Sequence, residues 1–182
     1  MPHDSKGNYY EFRKSVNLAL RDWSLVTSAG AVGAIAAAGG MLASDSVPIL
    51  GAQATSEAWA IKWAAASAAI IQQQSALPPD FSGADDLLLE LEVLTDNAGG
   101  GGIDPASFSV LTSWDNGAQV TDTSTDSVPA ITVHTVQTVI AAADVPDAPR
   151  FLNIQLVPGT HANDPTHLMS ARLLYVPRVK AS

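Results

Sequence analysis

The stretch Leu77–Leu94, LPPDFSGADDLLLELEVL, limits what this 182-residue chain can fold into more than any other part of it. Its two prolines close the segment before them, because neither carries a backbone N–H to donate. DFSGADD follows with Asp, Ser and Gly, the residues that turns use. Leu87, Leu89, Leu91 and Val93 then recur at every second position with Glu90 and Glu92 between them. That is the period of a strand with one buried face.

The same design repeats to the C-terminus. Phe108, Val110 and Trp114 share a face, and Ile131–Ile140, ITVHTVQTVI, is dense in β-branched residues. Leu152, Ile154 and Leu156 alternate with Asn153 and Gln155. Met169, Ala171, Leu173 and Tyr175 stand opposite Ser170 and Arg172. TDNAGGGGIDP, the polar run Asp115–Pro129, AAADVPDAP and PGTHANDP separate these runs. Such connections are too short and polar to hold crossover helices, which excludes a parallel α/β sheet. The expected fold is all-β, an antiparallel β-sandwich of jelly-roll type over residues 57–182, with seven or eight strands.

Two segments are less decided. Glu57–Pro78 is rich in Ala, the best helix former, yet Trp59, Ile61 and Trp63 alternate strictly with Ala58, Ala60, Lys62 and Ala64. Two strands, about 57–64 and 68–76, suit the context, with Trp59 and Trp63 expected in the core. Residues 1–56 are expected to be an N-terminal helix and an Ala/Gly-rich arm. Phe12, Val16, Ala19, Leu20 and Trp23 recur at helical spacing over residues 9–26, with Asn8 and Glu11 placed as a capping box. A lone amphipathic helix must dock on something, so Phe12, Val16, Leu20 and Trp23 are the expected partner contacts. The run Ala29–Ala43, AGAVGAIAAAGGMLA, leaves three alternatives: an arm lying on a neighbouring subunit, an internal element, or a membrane segment. It is shorter than the ~20 apolar residues a spanning helix needs. Extended, it reaches about 50 Å at ~3.3 Å per residue, so the arm is preferred and no membrane partner is expected.

Charge excludes another class. Residues 22–149 hold fifteen acids and one base, Lys62, whereas residues 1–21 and 150–182 are net +2 and +3. Nucleic-acid binding needs a dense basic patch, so no nucleic-acid partner is expected. There is no cysteine, so packing alone must hold the fold.

No catalytic signature occurs: no G-x-S-x-G, no phosphate-binding loop, no H-E-x-x-H. His161 and His167 flank a turn with Asp164 and Pro165, and ordinary loop roles are expected of them, as a strand role is of His134. Asp80, Asp85 and Asp86, then Asp122 and Asp126, then Asp144 and Asp147, cluster at turns without calcium-loop spacing, so Asx turns account for them. Glu90 and Glu92 share a strand face, where two carboxylates can flank a sugar, but a solvated face is the simpler expectation. No catalytic residue, cofactor or metal is assigned, and the chain is expected not to be an enzyme. Trp114, before Asp115 and Asn116, is the aromatic placed to stack on a glycan.

LPPDFSGADDLLLELEV, DTSTD, TVQTVIAAADVP, LNIQLVPGTHANDP and the closing ARLLYVPR together resemble a group of small tailed-phage virion proteins with a β-sandwich body. The resemblance spans residues 57–178 and implies a structural role on the virion. That role is a capsid decoration or cement protein on the capsid exterior, assembled in the host cytoplasm. Its implied partners are the major capsid protein and further copies of itself, as a trimer. The alternative is a glycan-binding module or another tail, neck or fibre component.

Overall fold

A computed structural model of the chain describes residues 13–26, 48–52, 58–96, 107–115, 117–123, 132–147, 149–159, 161, 163–178. Eleven strands occur among them: β1 (Lys14–Asn17), β2 (Ser24–Val26), β3 (Ile49–Ala52), β4 (Trp59–Trp63), β5 (Ile70–Ala76), β6 (Leu87–Thr95), β7 (Phe108–Trp114), β8 (Val120–Thr123), β9 (His134–Ile140), β10 (Phe151–Pro158) and β11 (Thr166–Tyr175). Short 3-10 turns lie at Leu20–Asp22 and Ala142–Asp144.

The strands make two antiparallel sheets. One runs β3-β4-β11-β6-β9, with β1 added alongside β11; the other runs β2-β5-β10-β7-β8. The expected sandwich of jelly-roll type is what forms. Period two fixes its core. Leu87, Leu89, Leu91 and Val93 of β6 are fully buried, as are Leu152, Ile154 and Leu156 of β10. Phe108 and Val110 of β7 and Val136 and Ile140 of β9 join them. A one-residue slip in any of these strands would turn its apolar set to water, so the register is strongly specified. The segment 57–76 resolves as the two strands β4 and β5.

The opening turn stretch locks one end of the sandwich. Phe81 is buried between Trp114 and Tyr175, with ring centroids 6.1 and 5.9 Å away. Asp80 accepts the Tyr175 hydroxyl at 2.9 Å and the Lys14 ammonium at 2.5 Å, and its carbonyl takes the Arg178 N–H at 2.7 Å. The hydrogen bond from Lys14, more than that from Tyr175, holds the Asp80 carboxyl below its ordinary value. Burial, reinforced by that same carboxylate, pushes the Tyr175 phenol up to about 12. Asp86 Oδ1 accepts the Ala142 N–H at 2.8 Å. One turn therefore ties β1, β11 and the 142–144 turn together.

The N-terminal expectation is corrected over its described part. Residues 13–26 do not form the expected amphipathic helix: Lys14–Asn17 pairs with Arg172–Tyr175 of β11, Ser24–Val26 pairs with β5, and only Leu20–Asp22 between them takes a 3-10 turn. β4 pairs with β11 only through Thr166–Leu168. That leaves the rest of the β11 edge open, and β1 takes it. A ladder on an existing sheet satisfies the backbone at once, whereas a lone helix must first meet the cost of nucleation. The sandwich thus includes β1, β2 and β3 and does not begin at residue 57. Trp23 is fully buried, and Val16 and Leu20 pack half-buried against the core, so none of these three forms a free docking face. Phe12 and Ala29–Ala43 lie outside the described residues. Among the described residues no helix is long and apolar enough to cross a membrane.

Candidate functional site

The second sheet turns one face to the core and the other outward. On the outward face the register aligns Ser24, Gln72, Gln155, Leu111 and Thr121 in one row across all five strands. A second row holds Gln74, Asn153 and Ser113. No outward position of these strands carries Asp, Glu, Lys or Arg, in a chain with 18 acids. At ~4.8 Å between strands, the five-strand row extends about 19 Å. Gln155 Nε2 donates to Gln72 Oε1 at 2.9 Å, which fixes both amide orientations. Gln72 then still offers its NH2 group, and Gln155 still offers its carbonyl. The side chains of Gln74 and Asn153 bond no other described residue.

One end of this face is walled. Gln74, Asp115, Arg150 and Phe151 line a cleft of about 410 Å³, with the Phe151 ring 41% exposed. Asp115 builds its wall. Its backbone is left-handed, at φ 48°, and its Oδ1 accepts the N–H groups of Arg150 and Phe151 at 3.1 and 3.0 Å. Those bonds offset the strain of a positive φ at a non-glycine residue. They also fix the backbone that carries Phe151. The result is a bed of side-chain amides with no charge at its outward strand positions, closed at one end by an aromatic ring beside Asp115 and Arg150, and suited to a neutral ligand rich in hydroxyl groups.

The first sheet treats its outward polar groups differently. Arg172, Glu90 and Gln137 stand side by side on β11, β6 and β9. Glu90, 8% exposed, pairs with Arg172 and accepts from Gln137 Nε2 at 2.7 Å. Glu92 accepts from Thr135 at 3.0 Å. These two carboxylates are spent on the sheet itself and do not face a sugar as an acid–base pair.

The remaining expected site residues fall as follows. Trp114 ends β7 as expected, but it is 4% exposed and faces the core beside Phe81, so it is no stacking platform; Asp115 makes the turn after it. Trp63 is core as expected, edge-on to Phe108 at 5.5 Å, but Trp59 is 66% exposed. His161 and His167 are buried instead of lying on a loop surface. His161 holds two loops together, with Nε2 2.7 Å from the Ser67 carbonyl and Nδ1 3.0 Å from the Asp164 carbonyl. His167 Nε2 lies 2.9 Å from Asp96, itself 3.7 Å from Lys62. Burial lowers the His167 pKa and outweighs the opposing pull of Asp96. Asp122 is raised by burial and by Asp144. Among the described residues, no three His, Asp or Glu side chains converge as a metal site would require.

Sequence comparison offers no guide: no protein-family model matches the chain, and no curated protein matches it. Solved structures do share the fold. The xylan-binding module CBM15 superposes with a TM-score of 0.55 at 11% identity, over 92% of this chain and 100% of that one. The CBM22-1–GH10 modules of endo-1,4-beta-D-xylanase 10B from Clostridium thermocellum, complexed with xylohexaose, give a TM-score of 0.50 at 10% identity. That match covers 94% of this chain and 29% of that one.

Proposed function

We propose that this chain binds a neutral oligosaccharide across the outward face of its second sheet, as a non-catalytic module. The observation that carries the proposal is the pair of aligned rows: Gln72 and Gln155, then Gln74 and Asn153, with Phe151 at one end and no charge between. Side-chain amides both donate and accept, which is what sugar hydroxyls require. An exposed ring at the end of the rows supplies an apolar surface for the C–H face of a sugar. The outward positions of these strands carry no Asp or Glu, so the paired carboxylates of glycoside hydrolysis have no counterpart on the face. The fold it shares with the xylan-binding module is consistent with this use of a sheet face. A setting on a phage particle is a separate part of the proposal and rests on the turn and strand motifs.

The test is calorimetric titration with xylohexaose and cellohexaose, preceded by a glycan array to widen the choice of ligand. A net hydrogen bond contributes about 0.5–1.5 kcal/mol. Gln72→Ala and Gln155→Ala should therefore each weaken binding roughly two- to tenfold, with Phe151→Ala acting in the same direction. Monosaccharides should bind far more weakly than hexasaccharides, because the row is long. Unchanged affinity in all three variants, or silence across the array, would remove the proposal.

A further inference from the structure

The opposite sheet holds a second cleft that the amide face does not use. β11 changes partner along one edge: β4 reaches only Leu168, a bulge falls between Leu168 and Ser170, and β1 takes over from Arg172, opposite its last residue Asn17. The gap between β4 and β1 opens a cleft of about 590 Å³. Leu20, Leu50 and Met169 give it an apolar lining, and Asn17, Ser170 and Arg21 are its polar members. Trp59 forms one wall.

This indole is unlike the other three. Trp23 and Trp63 are fully buried and Trp114 is 4% exposed, whereas Trp59 is 66% exposed. Trp59 shares its strand with fully buried Ile61 and Trp63, but the β4–β11 pairing ends at Ile61 and leaves Trp59 beyond the core. Strand pairing on both sides, together with the Leu18 N–H bond to the Ala171 carbonyl at 2.9 Å, sets the cleft on rigid backbone. A cleft of this size, apolar with a few convergent polar groups, has the form of a small-molecule site.

We infer that this cleft is a second carbohydrate site, in which one neutral pyranose ring stacks on Trp59 and its hydroxyls meet Asn17 and Ser170. It is separate from the amide face and does not depend on it. The occupant follows from the wall chemistry. A flat exposed ring suits the C–H face of a pyranose, and an amide with a hydroxyl suits its edge. Arg21, the cation of the lining, is exposed and lies 3.9 Å from Asp22, so it draws an anionic ligand only weakly, and a purely apolar ligand would gain nothing from Asn17 and Ser170.

The buried state of the other three indoles makes Trp59 its own reporter. In the full-length protein, acrylamide should quench chiefly Trp59 emission, and xylohexaose or cellohexaose should protect it. Titration should find two sites per chain in the wild type. Trp59→Ala should find one, with an unchanged melting temperature. The double variant Gln72→Ala/Gln155→Ala should lose the other site and keep the indole protection. Failure of the amide face alone would thus leave protection intact, while failure of the Trp59 cleft alone would leave one site that responds only to the amide variants. Equal stoichiometry in wild type and Trp59→Ala, or no protection by either hexasaccharide, overturns the inference. So does self-association that Trp59→Ala abolishes without any glycan protection, which would make the cleft a contact between copies.

Discussion

Two tryptophans four residues apart on one strand give a sharp test of where the core stops. Trp63 is fully buried, edge-on to Phe108, and its Nε1 donates to the Ala69 carbonyl at 2.9 Å. Trp63→Ala removes the packed ring, leaves a cavity between the sheets, and strips that carbonyl of its donor. Burying an aromatic and then deleting it costs about 3–5 kcal/mol in cores of this kind. For a chain of this length each kcal/mol moves the melting temperature about 2–4 °C, so Trp63→Ala should lower it by roughly 6–20 °C. Trp59→Ala deletes the same side chain from the same strand, but from a site 66% exposed. Its cost should stay within about 0.5 kcal/mol. Urea unfolding followed by far-ultraviolet circular dichroism measures both, with equal slopes and different midpoints expected. Comparable losses in the two variants would refute the placement of Trp59 beyond the core. They would also undo its use as a surface reporter of ligand.

Two further perturbations address the turn that closes the sandwich. A Cβ on Gly83 would lie 2.6 Å from Val145 Cγ1, so Gly83→Ala should destabilise by about 1–3 kcal/mol, the usual cost of overpacking. Adding Val145→Ala should recover part of that loss in thermal melts, and simple additivity would show that the contact is not the cause. Tyr175 keeps its proton to about pH 12 in the folded chain, while the unfolded phenol releases it near 10. The folded state therefore holds more protons between these values, and stability must fall as pH rises from 10 towards 12. Tyr175→Phe should remove that contribution, so its melting temperature should fall less steeply than the wild type over this window. Parallel slopes would show that burial and the Asp80 carboxylate do not together hold the proton on Tyr175.

How much was legible depended on whether the decisive contact was local. Leu87, Leu89, Leu91 and Val93 announce a half-buried strand by period alone, and the structure buries all four. The alternation Trp59, Ile61, Trp63 likewise gave β4, against the helix propensity of its alanines. It did not show that Trp59 escapes the core, because that depends on where β11 changes partner, far along the chain. The residues after Phe12 misled for a related reason. Val16, Leu20 and Trp23 fit a helical face, yet Val16 sits in β1 and Trp23 immediately precedes β2, and the open edge of β11 that recruits β1 is not visible locally. Trp114 does end β7, as Asp115 after it suggested, but the face it shares with Phe108 and Val110 carries the indole inside before the left-handed Asp115 turns the chain. The amide rows were in view only as polar residues alternating with apolar ones. Gln72 and Gln155 are 83 positions apart, and only the β5–β10 register brings them together.

The two outward faces of the sandwich separate structure from function by a simple criterion: how much hydrogen-bonding capacity each leaves unspent. On the first sheet, Glu90 bonds both Arg172 and Gln137, and Glu92 bonds Thr135. Charge there is matched within the sheet, and a ligand would have to break existing pairs to gain new ones. Such a face stabilises its own strands through cross-strand pairs. On the second sheet, the single bond between Gln155 and Gln72 orients two amides and leaves a donor group and an acceptor facing water. Gln74 and Asn153 add two more amides, and no charge attracts counter-ions to the surface. A strand face needs none of this to hold its fold; Thr at the same positions would serve the ladder better, since β-branched residues are enriched in strands and Asn is depleted. The four amides on β5 and β10 thus give the fold a single bond among them. The amide face is therefore where a ligand can gain hydrogen bonds without displacing any that the fold depends on.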